Sequence, residues 1–239
     1  MDRGTTAKIV VQFYLRESKL VNQDREERES PMPLANRELR WHHNHERLYE
    51  ATLREIERVG FNDVRIEKIC EETKLSRPTF YAHFSNKDGV VSELLCRFMD
   101  GIARELEVRT KALHDLEDVI DELVGLCRDA NSMTSERLRR ELAAYLPRHH
   151  DIDLFSTSSV FTILTRAIIQ AVQRREIRPV SDARALARRI TVVINGFFLA
   201  HPNEPEKAAR EAREVLKLMM QGLRAEDPSN GCLRRPGHS

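Results

Sequence analysis

The segment from Thr73 to Lys87 contains no acidic residue, although acids and bases almost balance over the whole chain, whose formal net charge is +1. Ser76 stands where a helix N-cap belongs, since its hydroxyl can accept a hydrogen bond from the free amide of Thr79. Pro78 falls in the first turn, where its missing N–H costs nothing. The segment therefore predicts a short helix that begins at Arg77 and suits contact with phosphates.

The exposed side chains of this short helix are candidates for contacts with a nucleic acid. Phe80 and Phe84 lie four residues apart and predict a buried stripe. Arg77 and Thr79 then project from the first turn, the end that a recognition helix inserts into the major groove. Tyr81 and His83, whose rings end in polar groups, and Lys87 follow as candidate phosphate contacts. The candidate DNA-binding residues are Arg65, Arg77, Pro78, Thr79, Tyr81, His83 and Lys87.

Two amphipathic helices are predicted before this one. The first is indicated by apolar residues at helical spacing and ends at Gly60, the usual residue for a left-handed C-terminal cap. The second is shorter, carries Ile69 and Cys70 on its inner side, and is followed by the turn 73–75. Three helices with this turn indicate a helix-turn-helix DNA-binding unit.

From Arg47 to Leu94 the chain resembles the TetR family of one-component transcriptional regulators. The shared motif residues are Gly60, Phe61, Ile69, Ser76, Arg77, Thr79, Phe80, Tyr81, His83, Phe84 and Lys87. The resemblance implies an all-α protein of about nine helices, with an N-terminal three-helix DNA-binding domain and a larger C-terminal domain that binds an effector and forms a dimer. We expect a flexible extension over 1–40, the helix-turn-helix domain over 41–87, the effector and dimerisation domain over 88–223 and a disordered tail over 224–239.

Four positions depart from the family pattern. Lys74 occupies the turn where glycine is usual, at a cost of about 1 kcal/mol if the backbone there is left-handed. Arg65 stands where a serine or threonine normally caps the second helix, and it is a candidate phosphate contact. Glu67 lies on a face that approaches DNA in relatives, so contacts from the second helix are in doubt. Gly89 replaces a helix former in the first turn of the fourth helix.

The composition favours a sequence-specific DNA-binding protein over a protein that binds nucleic acid without sequence preference. The chain is 41% hydrophobic and 32% charged, which is enough to bury a core. Between Trp41 and Val90 basic residues do not outnumber acidic ones, so the basic character is local. This pattern favours a dimer whose affinity depends on a few placed contacts.

The cysteines and the hydropathy of the chain indicate a cytoplasmic protein. The four cysteines are far apart and form no CxxC pair, which argues against a disulfide framework or a zinc ribbon and fits a reducing cytoplasm. No apolar stretch reaches the roughly eighteen residues of a membrane span. The segment from Ile9 to Leu15 lacks the features of a signal peptide.

The C-terminal helices carry the predicted effector pocket and dimer interface. Residues 183–200 and 206–223 resemble the pair of helices through which the family dimerises, and Gly196 would let two helices approach closely. Candidate pocket walls are Phe98, Met99, Ile102, Leu123, Cys127, Leu142, Tyr145, Phe161 and Leu164. Candidate interface residues are Ile190, Val193, Ile194, Gly196, Phe197, Val215, Leu216 and Met219.

No metal, cofactor or catalytic site is predicted. The histidine runs at 42–45 and 149–153 lack an established ligand spacing. Motifs for nucleotide binding, for a nucleophilic serine and for a zinc protease are missing, so we expect no enzyme activity.

The sequence favours a ligand-responsive repressor that binds a palindromic operator as a homodimer and responds to an apolar small molecule. A transcriptional activator, or a helical interaction module that has lost operator binding, remains an alternative. Translation could start at Met32, because residues before it have no counterpart in the resemblance. If translation starts earlier, the alternative is a flexible N-terminal arm in which Arg37, Arg40 and the histidines near Trp41 follow the minor groove.

Overall fold

The computed structural model describes residues 33–113, 115–148 and 158–224. This part of the chain forms nine α-helices and three short 3-10 helices, which confirms the predicted all-α fold. The α-helices are α1 (Pro33–Val59), α2 (Ile66–Thr73), α3 (Arg77–His83), α4 (Lys87–Arg109), α5 (Leu116–Met133), α6 (Glu136–Tyr145), α7 (Ser159–Gln173), α8 (Ala183–Ala200) and α9 (Pro205–Leu223).

The chain divides into two compact units. The first comprises residues up to Arg97 together with 130–150, and the second comprises 98–129 together with 151 onward. In the first unit Leu48 and Ile56 of α1, Ile69 of α2 and Phe80 of α3 are at most 1% exposed, so three helices share one core. The second unit contains α7, α8 and α9.

Helix α1 begins earlier than the sequence suggested. Residues 33–40 were assigned to a flexible extension, but they form the first turns of α1, which starts at Pro33. A proline is well tolerated at a helix start because its missing N–H has no intrahelical partner there. The expected boundary at residue 40 is therefore wrong, and residues 1–32 lie outside the described residues.

Gly60 ends α1, but its backbone differs from the expected cap. Its φ is 91° and its ψ is 154°, whereas a left-handed cap would have a ψ near 47°. Among the amino acids only glycine adopts this backbone conformation readily. The position therefore does favour glycine, but because of this conformation and not because of a left-handed cap. A Cβ at this position would also lie 2.9 Å from a carboxylate oxygen of Glu141.

Helix α6 belongs to the first unit rather than to the predicted C-terminal domain over 88–223. A carboxylate oxygen of Glu141 accepts a hydrogen bond from the amide of Phe61 at 2.9 Å. The rings of Phe61 and Tyr145 meet edge to face with centroids 5.0 Å apart. The hydroxyl of Ser135, which caps α6, donates to Glu57 at 2.6 Å. These contacts attach α6 to α1 and to the turn that follows it.

The second unit is built on close packing of α8 against α7 and α9. Ala208, Ala209 and Ala212 of α9 are fully buried, and their small side chains allow its axis to approach a neighbouring helix closely. Asp182 caps α8 by accepting the amides of Arg184 and Ala185 at 2.8 and 3.1 Å. No helix among the described residues is long and apolar enough to cross a membrane.

Candidate nucleic-acid interface

The turn between α2 and α3 has the geometry of a helix-turn-helix. Lys74 ends α2 with φ 54° and ψ 33°, so the left-handed backbone that was considered for this residue is present. The amide of Leu75 donates to the Cys70 carbonyl at 3.2 Å, which closes the turn. Arg47 of α1 donates to the carbonyl of Thr73 and fixes the same turn from the other side.

Helix α3 starts as predicted. The Ser76 hydroxyl accepts the amide of Thr79 at 3.2 Å, and the two hydroxyls lie 2.7 Å apart. Phe80 and Phe84 are 0% and 4% exposed, which confirms the buried stripe. Pro78 is exposed in the first turn, so the N-terminal end of α3 is open to solvent.

Arg77 and Glu67 form an ion pair on the exposed side of α2 and α3. A guanidinium nitrogen of Arg77 lies 2.9 Å from a carboxylate oxygen of Glu67, and both side chains are about half exposed. Hydrogen bonding to Tyr81, one turn along α3, and the charge of Glu67 raise the pKa of Arg77. Arg65, at the N-cap position of α2, is exposed and makes no capping bond with its side chain.

Lys87 is bonded to the turn after α1. Its ammonium donates to the carbonyl of Phe61 at 2.8 Å and to that of Asn62 at 3.1 Å, and it lies 4.7 Å from the centre of the Phe61 ring. The cation therefore holds α4 to this turn. The predicted phosphate contact of Lys87 stays a prediction, and the same ammonium would have to serve both purposes.

His83 packs inward rather than standing on the exposed face of α3. Its ring centroid lies 4.7 Å from that of Trp41 and 5.4 Å from that of His45, both on α1. Burial and the nearby His45 lower the pKa of His83. A neutral ring packed in this way is poorly suited to a phosphate, so we do not retain His83 among the proposed contacts.

His45 joins a polar network that the sequence did not reveal. Its Nε2 lies 2.9 Å from a carboxylate oxygen of Glu93 in α4, and Arg97 donates to Glu46 at 2.5 and 2.8 Å and also to Glu93. His45, Glu46 and Glu93 have ligand atoms close enough to hold a metal ion. The guanidinium of Arg97 already pairs with both carboxylates and supplies the positive charge there. Of the other histidine run, residues 149–153 lie outside the described residues.

The predicted effector-pocket residues are divided between the two units. Leu142 and Tyr145 lie on α6 in the first unit, where Tyr145 is 4% exposed against Phe61. Burial of the hydroxyl is the main reason why the pKa of Tyr145 is raised to about 12. The other seven lie in the second unit, so the nine residues do not line one cavity within either unit.

Within the second unit the residues predicted to line the pocket are mostly core. Leu123, Cys127, Phe161 and Leu164 are at most 9% exposed, and burial raises the pKa of Cys127 to about 12. A separate open groove of about 440 Å³ runs along α7 and the start of α8. Phe161 is the only one of the nine predicted residues that lines it.

The predicted dimer residues also separate into two groups. Ile190, Ile194 and Leu216 are 1–2% exposed within the single chain, so they are core residues there and we do not retain them among the proposed interface residues. Val193, Phe197 and Met219 are half-buried, while Gly196 and Val215 are exposed. The sequence reasoning missed Val192 and Leu218, which are 60% and 67% exposed, although helical spacing from Gly196 and Val215 points to them.

Comparison with known proteins identifies this arrangement. Residues 48–94 match the family model of the bacterial regulatory proteins, tetR family. Residues 48–94 therefore form a DNA-binding domain of the TetR type. The matched segment contains the C-terminal part of α1 (48–59), the whole helix-turn-helix and the first turns of α4, so the matched DNA-binding domain coincides with the interface described above.

Solved structures share the TetR-family fold over most of this chain. FadR from Thermus thermophilus, a TetR-family transcriptional repressor solved in complex with lauroyl-CoA, is 16% identical with a TM-score of 0.61, over 81% of this chain and 100% of FadR. A Syntrophomonas wolfei protein described as a TetR-family regulator is 18% identical with a TM-score of 0.61, over 77% and 98%. A TetR-family regulator from Pectobacterium atrosepticum is 14% identical with a TM-score of 0.55, over 79% and 97%.

Proposed function

We propose that this TetR-family regulator is a cytoplasmic, ligand-responsive repressor that binds a palindromic operator as a homodimer. The observation that carries the proposal is the open, capped N-terminal end of α3 on a rigid three-helix core. Arg77, Pro78 and Thr79 stand at that end and are the proposed base contacts. Arg65, Tyr81 and Lys87 are the proposed phosphate contacts.

The exposed apolar side chains of α8 and α9 support the homodimer. Val192, Val215 and Leu218 are 60%, 36% and 67% exposed, so three apolar side chains of α8 and α9 are in contact with water in the single chain. Nothing lies within 4 Å of a Cβ built on Gly196, so that position is open in the single chain. Two such helix pairs from two subunits would bury these residues in a four-helix bundle.

The second unit is the proposed place of the effector. Its candidate walls are Phe98, Met99, Ile102, Leu123, Cys127, Phe161 and Leu164, whose side chains favour an apolar small molecule. FadR, which shares the fold, was solved with the apolar acyl chain of lauroyl-CoA. Binding there would repack these side chains, shift α4 and lower the affinity of the dimer for DNA.

Selection of bound sequences from a random pool of DNA duplexes tests the proposal. We expect enrichment of a palindrome with two half-sites, and repression of a reporter that carries it. Enrichment without symmetry would contradict the homodimer, and activation of the reporter would contradict repression. A protein that enriches no sequence would favour the alternative of an interaction module.

The phosphate assignment has a separate test. Lys87→Ala should weaken binding to all sequences alike and should flatten the slope of log affinity against log salt by about one unit per half-site. Arg77→Ala and Thr79→Ala should instead change the selected sequence. An unchanged salt slope for Lys87→Ala would mean that Lys87 serves only the turn after α1.

A further inference from the structure

The ion pair between Arg77 and Glu67 joins the recognition helix to the preceding helix. The two charged groups are 2.9 Å apart and about half exposed, so the ion pair lies on the surface and not in the core. Tyr81, one turn further along α3, also interacts with this guanidinium and, together with Glu67, raises the pKa of Arg77. Arg77 is thus held from two sides on the open surface that faces a nucleic acid.

Stability does not account for this arrangement. Exposed ion pairs contribute little to the free energy of folding, because solvent screens them and ordering two long side chains is unfavourable. What the pair does achieve is the ordering of the guanidinium in the free protein. A side chain that is ordered before binding loses less conformational entropy when it meets its partner.

The chemistry of an ordered arginine beside a carboxylate favours a base over a phosphate. A guanidinium has five N–H donors in a planar fork, so the bonds to Glu67 and Tyr81 leave donors for a second partner. Guanine presents two acceptors, O6 and N7, on its major-groove edge, and this fork matches both. Glu67 neutralises part of the positive charge and repels phosphates, which weakens binding to any backbone regardless of sequence.

We infer that Arg77 recognises a guanine in each half-site and that Glu67 is a positioning residue which raises the specificity of this contact. The inference rests on the proposed function, because it requires that α3 enters the major groove. It also explains why an acidic residue stands on a surface of α2 directed toward DNA. Glu67 acts on the DNA through Arg77.

A second exposed ion pair on α2 provides a matched control. Lys68 and Glu71 lie 2.7 Å apart and are exposed to a similar degree, but both belong to α2, so this ion pair does not involve the recognition helix. Glu67→Gln and Glu71→Gln therefore remove the same charge from the same helix. Only the first releases a side chain of the recognition helix.

The experiment measures affinity for the selected operator, for the operator with the contacted guanine replaced, and for random duplex. For Glu67→Gln we expect random duplex to be bound several-fold more tightly and the preference for guanine to fall about tenfold, within the range expected for one base contact. Glu71→Gln should tighten random binding without changing the base preference. Arg77→Ala should remove the guanine preference altogether.

Each outcome separates the inference from the proposed function. If the wild-type protein enriches a sequence but Glu67→Gln and Glu71→Gln behave alike, Glu67 is not a positioning residue and the inference is wrong. If Arg77→Ala keeps the guanine preference, the base contact is assigned to the wrong residue. If the wild-type protein enriches no sequence, the proposed function fails first. Equal thermal midpoints for the two glutamate variants would exclude a folding defect.

Discussion

On α3 the long exposed side chains of Arg77 and Tyr81 end in polar groups, whereas on α8 and α9 several large exposed side chains are hydrocarbon. Arg77 pairs with Glu67, and the hydroxyl of Thr79 bonds that of Ser76. Leu218, in contrast, exposes 67% of its surface to solvent. Polar groups of the first surface already have partners in the single chain, whereas apolar area of the second surface is left in contact with water.

The two surfaces therefore differ in how much a binding partner would stabilise them. A polar surface costs little in water, so the recognition surface is stable alone and requires DNA only for its function. Exposed apolar area forgoes roughly 25 cal/mol for each Å² that a partner could cover. We therefore expect substitutions on α8 and α9 to change assembly, and substitutions around α3 to change local stability and DNA preference.

The largest effect is expected for Leu218→Glu. A carboxylate would have to be desolvated in an apolar interface, so the dissociation constant of the dimer should rise by about a hundredfold, or about 3 kcal/mol. Sedimentation velocity over a range of concentrations measures it. Val108→Glu is the control, because Val108 is 63% exposed and belongs to α4, which is not part of the proposed interface. Equal dissociation constants for the two variants would remove the proposed interface.

A smaller effect is expected for Lys87→Met, which keeps the length of the side chain but removes two charge-assisted hydrogen bonds to the carbonyls of Phe61 and Asn62. The free energy of unfolding should fall by about 2 kcal/mol, as measured by urea denaturation. Lys68→Met removes only the exposed pair with Glu71 and should cost less than about 0.5 kcal/mol. A similar loss for both variants would show that Lys87 is not structurally bonded.

Lys74→Gly should stabilise the protein by up to about 1 kcal/mol, because glycine adopts the left-handed backbone at this turn without a steric penalty. Lys68→Gly in the interior of α2 should do the opposite and cost about 1 kcal/mol. The two variants introduce the same residue six positions apart, and thermal denaturation compares them directly. A loss of stability for Lys74→Gly would mean that a contact of the Lys74 side chain stabilises the protein by more than the left-handed backbone destabilises it.

The smallest effect concerns pH. Because the pKa of His83 in the folded protein is lowered from its ordinary 6.5, the unfolded chain binds a proton first as the pH falls. Stability should therefore decrease on acidification below about 6.5, and His83→Phe should reduce this decrease. The rings of Trp41 and His45 lie against His83, and His43→Gln on the exposed side of α1 is the control.

The acid response of Glu93 is expected in a different range. Burial raises its pKa, but the hydrogen bond from His45 and the charge of Arg97 outweigh burial and lower it below 4.5. The stabilisation from ionised Glu93 is thus lost only at still lower pH. A wild-type thermal midpoint that does not change between pH 7.5 and 5.5 would contradict the assigned environment of His83.

Local signals determined much of the fold. Ser76 and Pro78 set the start of α3, and Asp182 set the start of α8, because a cap acts on amides two or three residues away. The predicted range of α8 agrees with the structure, and that of α9 differs by one residue at its start. The family resemblance also placed the helix-turn-helix correctly.

Contacts distant in the sequence were not predictable from the same signals. No spacing relates His45 to Glu93, or Phe61 to Glu141, since residues so far apart meet only after the helices have packed. The sequence did not show that Leu142 and Tyr145 lie in the first unit, because an amphipathic helix shows which face is buried but not which unit buries it. It also did not show that Ile190, Ile194 and Leu216 are core residues of the single chain, since apolar character suits a core and an interface equally.

The sequence by itself determined most helices, the capping residues of α3 and α8 and the position of the helix-turn-helix, because these depend on side chains within a few positions of one another. Tertiary structure alone decided that α6 joins the first unit, that His83 turns inward, that Glu67 holds Arg77 and that Val192 and Leu218 stay exposed. These outcomes depend on how helices distant in the chain pack together. Burial and pairing are properties of that packing, and the free energy of each contact exists only once both partners are in place.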